Sequence, residues 1–312
     1  MERLVGEGPL GPREGGRRQH RRPSPSNTVE RLRKCHFKYR RDVERTMKRT
    51  ERRTSVVVGI DGSSSAAHAA AWAVDEAVSR DVPLRLVYVI QSTAADIQQE
   101  ADRAEIALHA AEATIVQSGK PVKIETSVMR GPVAATLADT SAEAAMVCLG
   151  SMDTGSRATK FVGATAAAVA RSARCPVAIV RMPDAGSPAS DQIAVVIDDP
   201  RDLDVVVAAA LEEARLRNAT LLALNVTSSR INELAPEEVD RRLSECLSRY
   251  PDVSSRVRMV PDDIPAFLAE HDTPVQLILT ADGPAATRLI GQYGRFMLRD
   301  TGCSVLLVRP DG

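Results

Sequence analysis

The same succession of segments occurs twice in this chain. Residues 145–181 run from a mostly apolar segment through a polar glycine loop and a small-residue helix to the closing heptad CPVAIVR, Cys175 to Arg181. Residues 275–309 start from a comparable apolar segment and close on CSVLLVR, Cys303 to Arg309. The openings agree too, since 193–197 followed by Asp198 echoes 56–60 followed by Asp61. Short, continuously apolar strands suit burial on both faces, which is the habit of parallel sheets covered by helices. Such a chain is expected to form two similar α/β bodies in tandem, here placed at 54–182 and 192–310 and joined by a Pro/Gly/Ser-containing linker, 183–191.

Within the first body the spacing predicts strands at 55–60, 84–90, 122–129, 146–150 and 177–180. Between them come helices at 63–80, 97–118 and 159–173, with a further helix starting at Pro132, a residue suited to a first helical turn. Ser63 to Ser65 supply N-cap hydroxyls, and Ala66, Ala69, Ala70, Ala73, Val74 and Ala77 fall on one apolar face. The second body predicts strands at 193–197, 220–226, 255–260, 275–280 and 303–309, with helices at 203–217 and 237–250. Strands alternating with helices at this spacing imply right-handed crossovers and a parallel, doubly wound sheet.

Charge and cysteine usage narrow the class. The net charge of zero conceals a split: residues 1–54 hold 17 Lys and Arg against 7 acids, leaving 24 bases and 34 acids for the rest. The first residues, up to about 46, are rich in Gly, Pro, Ser and Arg and are expected to be disordered, in a basic tail assigned to 1–53. Two readings stay open for it, a contact with nucleic acid or an anionic surface and an over-extended reading frame that starts naturally at Met47. The five cysteines (35, 148, 175, 246 and 303) are odd in number and lack CxxC spacing, so neither a disulfide frame nor a zinc site is expected. No apolar run approaches the roughly 20 residues of a membrane-spanning helix, and no apolar segment follows the N-terminal arginines as in a secretory signal. The expectation is a cytoplasmic protein with no membrane partner.

With its strand ending in Asp61-Gly62-Ser63, its turn at Arg130-Gly131-Pro132 and its closing Cys175-Pro176-Val177, the chain resembles the universal stress protein family in its tandem, two-domain bacterial form. The resemblance covers residues 54–310, closely in the first half and loosely in the second. It implies two flavodoxin-like domains, each a doubly wound, five-stranded parallel sheet. Nucleotide-binding members carry a loop Gly-x2-Gly-x9-Gly-(Ser/Thr) that holds ATP phosphates. Here the frame is kept as Gly150, position 153 and Gly163, with Asp153 in place of glycine and Ala164 in place of the hydroxyl residue.

The resemblance therefore implies ATP as the cofactor. It places Asp61 and Gly62 beside the adenine, the backbone at Tyr88 and Val89 around the base, and Gly131 in the neighbouring turn. Gly150, Asp153, Gly155, Gly163, Ala164 and Thr165 would surround the phosphates. A carboxylate at 153 repels phosphate, whereas Gly155, Thr165, Arg157 and Lys160 offer compensation. The competing reading is that the glycines only shape a tight strand-to-helix connection and that Asp61 caps a helix.

In the second half Thr280 replaces the first glycine, the loop that follows, ADGPAATRLIG at 281–291, is shorter and spaces Gly283 and Gly291 wrongly for the family frame, and Asp199-Pro200 replaces Gly-Ser. Its expected job is to pack on the first half as an internal pseudo-dimer. The strands at 177–180 and 305–308 are candidates for a seam, within the chain or in a homodimer.

Catalysis finds little support. The five histidines (20, 36, 68, 109 and 271) form no metal spacing and no Ser-His-Asp order stands out, so no catalytic or metal-binding residues are expected. The expectation is a stress-response regulator or sensor that binds an adenine nucleotide, with a nucleotide-free interaction module as the alternative. A slow ATPase is a weaker one, since it would need Asp61 and Asp153 together around a metal.

Overall fold

The computed structural model describes residues 54–91, 96–153, 160–182, 190–226, 236–261, 264–270, 275–290 and 303–309. The predicted tail at 1–53, residues 183–189 of the linker, and Gly155 and Arg157 lie outside the described residues.

The first half contains β1 (Ser55–Ile60), α1 (Ser64–Ser79), β2 (Leu84–Ile90), α2 (Ile97–Gln117), β3 (Ile124–Arg130), α3 (Val133–Thr140) and β4 (Ala144–Gly150). A ribbon of β5 (Met152–Asp153) and β6 (Lys160–Phe161) follows, then α4 (Ala164–Ser172) and β7 (Val177–Val180). The second half repeats the order as β8 (Gln192–Ile197), α5 (Leu203–Leu216), β9 (Thr220–Val226), α6 (Pro236–Ser248), β10 (Ser255–Val260), α7 (Ile264–Ala269), β11 (Val275–Ala281), α8 (Pro284–Ile290) and β12 (Ser304–Val308).

Ten of these strands make one sheet in the order β10-β9-β8-β11-β12-β7-β4-β1-β2-β3. Every neighbouring pair is parallel except β7 with β12, which run antiparallel with Ala178 opposite Leu306. The strands singled out as seam candidates thus pair with each other. Within each half the order reverses beside the first strand, between β1 and β4 and between β8 and β11, and doubly wound sheets open their crevice at such a point.

Helices cover both faces, as continuous apolar strands require. One face buries Ala66, Ala69, Ala70, Ala73 and Ala77 of α1 together with apolar residues of α2, α5 and α6. The other buries the apolar sides of α3, α4, α7 and α8. Alanines along α1 bring its backbone close to the sheet, a spacing that bulkier residues would prevent.

Three local readings change. The helix predicted from 159 begins at Ala164, because Asp153 pairs with Lys160 and Met152 with Phe161 across an antiparallel ribbon. The third strand starts two residues late, at Ile124. The stretch after β11, read as a loop, holds α8, which opens on Pro284, where the missing N–H costs nothing.

Candidate functional site

β1 runs into the turn Asp61-Gly62-Ser63, where Gly62 adopts a φ of +84°, a conformation that glycine reaches without steric cost. Ser63 is the N-cap of α1, its Oγ accepting the Ala66 N–H at 3.1 Å. Asp61 Oδ1 accepts the Ser63 N–H at 2.9 Å and the Ser63 hydroxyl at 2.5 Å. Capping therefore falls to Ser63, while Asp61 braces the cap and keeps its carboxylate exposed at the carboxyl end of β1.

Asp61, Gly62 and Tyr88 come together around a cavity of about 350 Å³. Its far wall is α2, through Arg103, Ile106 and Ala107. Tyr88 is half-buried, and its hydroxyl donates to Glu100 Oε2 at 3.4 Å. Burial first, and then the Glu100 carboxylate, push the phenol up from its usual range. Glu100 in turn pairs with Arg103 at 2.6 Å. Sequence reasoning missed this wall; the signal available was the Glu100/Arg103 pair, one helical turn apart on the helix that follows β2. Val89, the next residue in β2, points to the opposite face of the sheet and is buried there. Gly131 donates its N–H to the Ile90 carbonyl at 3.0 Å, tying the turn after β3 to the end of β2.

Of the other predicted residues, Gly150, Asp153, Gly163, Ala164 and Thr165 are outside the cavity lining. Gly150 ends β4 against the start of α1: a Cβ there would stand 2.6 Å from the Ser65 carbonyl carbon and 2.8 Å from the Ala66 nitrogen. This glycine is needed for close helix-on-strand packing. Gly163 is the N-cap of α4, and no side chain caps that helix. Ala164 and Thr165 are exposed in its first turn, where backbone N–H groups have no partner inside the helix. Asp153 lies in β5 of the ribbon. Among the described residues no group of three or more His, Cys, Asp or Glu could hold a metal.

The second half reuses the same position differently. Asp198, the counterpart of Asp61, is only 8% exposed and accepts the Ala285 N–H at 2.8 Å. A carboxylate of its own chain thus caps α8. The cause is local. Pro200 stands where the first half has Ser63 and has neither an N–H nor a hydroxyl, so the turn that holds Asp61 cannot form. Burial pushes the Asp198 carboxyl up, partly offset by that backbone donor. Gly283 lies beside it, its absent Cβ position 3.3 Å from Asp198 Oδ2, and Thr280, in place of Gly150, is fully buried.

Comparison with known proteins agrees with this architecture. The model of the universal stress protein family matches residues 53–181. Universal stress protein Rv2624c of Mycobacterium tuberculosis is 41% identical over 262 residues, covering 82% of this chain and 96% of the relative. Rv3134c of the same organism is 40% identical over 269 residues, with the same coverage. In fold, the chain is similar to the crystal structure of a universal stress protein from Archaeoglobus fulgidus, with a TM-score of 0.61 at 16% identity over 82% of this chain and 96% of that one. On the strength of two-fifths identity along nearly the whole of its relatives, the chain belongs to the universal stress protein family.

Proposed function

We propose that this chain is a regulatory universal stress protein whose first half binds an adenine nucleotide, ATP, at the carboxyl edge of the sheet between Asp61 and the first turn of α4. The observation that carries this reading is the contrast between the halves. In the second half the Asp198 carboxylate caps the helix after β11. In the first half Asp61 turns toward Ser63, and the α4 N-terminus has no side-chain cap. Free N–H groups at the start of a helix favour an anion, and an exposed carboxylate nearby can accept from an adenine amino group or a ribose hydroxyl. Nucleotide would bridge the turn at Asp61 and the first turn of α4, a change that partners can read.

Calorimetric titration with ATP, ADP and AMP tests this. One site per chain is expected, and Asp61→Ala should weaken it by roughly 10- to 100-fold, the usual worth of a hydrogen bond to a charged group. Asp153→Gly should tighten it by removing a like charge from the phosphate side. No heat at millimolar nucleotide would sink the nucleotide reading. The chain would then be a tandem interaction module, a role that the capped α8 already favours for the second half.

A further inference from the structure

The two ends of α4 face different halves of the chain. Its first turn opens on the nucleotide edge, where the cap Gly163 offers no side chain. Its other end comes out beside the second half, for a topological reason. β12 runs antiparallel to β7, with Leu307 opposite Val177, so the chain leaving β12 emerges where α4 hands over to β7. The residue delivered there is Arg309, which closes the second heptad as Arg181 closes the first. Its guanidinium donates to the Ala170 carbonyl in the last turn of α4 and pairs with Asp282, the residue after β11. The Arg309 side chain is 11% exposed, whereas Asp282 is largely exposed.

The last carbonyls of a helix have no partner within it, and a cation beside them is as favourable as an anion at the first N–H groups. Arginine suits the place because its planar fork serves a carbonyl and a carboxylate at once. Between the two ends, Ala166, Ala167, Val169 and Ala170 are buried, and a close-packed interior transmits a displacement rather than absorbing it. On the far side of Arg309 the connection continues into the second half. Asp282 precedes Gly283, which lies against the Asp198 carboxylate that caps α8. From the first turn of α4 to α8, each step is thus a helix, a hydrogen bond, an ion pair or a peptide bond.

We propose that Arg309 is a positioning residue through which the second half regulates the nucleotide site: it ties the carboxyl end of α4 to the turn between β11 and α8, so that an anion at the amino end of α4 and the order of that turn bias each other. This coupling rests on nucleotide binding at the edge between Asp61 and α4. It is reciprocal, as any coupling between two sites must be. Nucleotide should steady residues 281–290, and cutting the tie should weaken nucleotide binding on the order of 5-fold. The second half, whose own helix is capped by Asp198, thereby acts on the site of the first.

Hydrogen exchange of the full-length protein, with and without saturating ATP, tests the tie, because amide protection reports local opening segment by segment. Wild type is compared with Arg309→Ala and with Asp282→Ala. In the wild type ATP should slow exchange both at 164–167, where it binds, and at 281–290. In each variant the slowing at 164–167 should remain and the slowing at 281–290 should disappear. A merely structural role for Arg309 would speed exchange in α4 without changing what ATP does at 281–290. Asp282→Ala alters an exposed side chain and carries the test if Arg309→Ala does not fold. Slowing at 164–167 alone in the wild type, or slowing at 281–290 that persists unchanged in either folded variant, overturns the coupling and leaves the nucleotide site standing. Slowing at neither place overturns both, a pattern distinct from the first.

Discussion

A methyl group at position 150 has no room. Its carbon would fall 2.6–2.8 Å from backbone atoms of Ser65 and Ala66, and backbone cannot rotate away as a side-chain tip can. Gly150→Ala should therefore cost about 1–3 kcal/mol, the usual penalty of overpacking, read as a lower urea midpoint whether or not nucleotide is present. Weakened binding in that variant would reflect the displaced start of α1 as much as any lost phosphate contact. Asp198 offers the reciprocal experiment. Asp198→Ala leaves the Ala285 N–H buried and unpaired, a loss of about 1–3 kcal/mol. Asp198→Asn keeps the acceptor and sheds the burial penalty on the charge, so it should stay within about 1 kcal/mol of the wild type. Chemical denaturation of the two variants side by side checks the prediction; equal losses would mean that the carboxylate's charge, and not its acceptor oxygen, holds α8.

Among the elements, α1 does the most connecting work. Its alanine face allows close approach to the sheet, its first turn receives Gly150, its cap is braced by Asp61, and its last turn reaches the second half. Ser63→Ala should cost about 1 kcal/mol for the lost cap. Because the same hydroxyl donates to Asp61, the substitution should also lower nucleotide affinity; a stability loss with unchanged affinity would show that Asp61 holds its position alone. α8 is the contrasting case. It starts on a proline and is capped by the residue that follows β8 in the same half, which is why a loop reading of ADGPAATRLIG failed: the cap lies 87 residues away in sequence.

At the scale of the whole molecule, the antiparallel pairing of β7 with β12 turns two parallel sheets into one. The α1/α5 crossing adds buried charge to a junction that also holds that strand pairing and apolar contacts. That charge makes stability depend on pH with a definite sign. The folded-state value of Glu213, about 8, lies above its usual 4.5, so between these values the folded chain holds a proton that the unfolded chain releases. The contribution is complete below the lower value and shrinks as pH rises toward the upper one, with a limiting slope of about 1.4 kcal/mol per pH unit. Urea midpoints measured from about pH 6 to pH 8 should fall in the wild type and fall less in Glu213→Gln; the same slope in both would place the titration elsewhere.

Much of this molecule was legible in one dimension. The doubled α/β plan, most strand positions and the turn at Asp61 follow from apolar runs and from cap and turn residues, whose effects reach only a few positions along the chain. The Asp61 counterpart at 198 could be located in the same way, but not its use, because the missing donor at Pro200 shows only that one arrangement is closed. Tertiary structure decided where that carboxylate goes, that β7 takes β12 as its neighbour, that α2 walls the cavity beside Tyr88, and that Arg217 finds Glu76, 141 residues away. Packing pairs whatever surfaces are left facing each other once local structure has formed, and no spacing rule within a single segment contains that information.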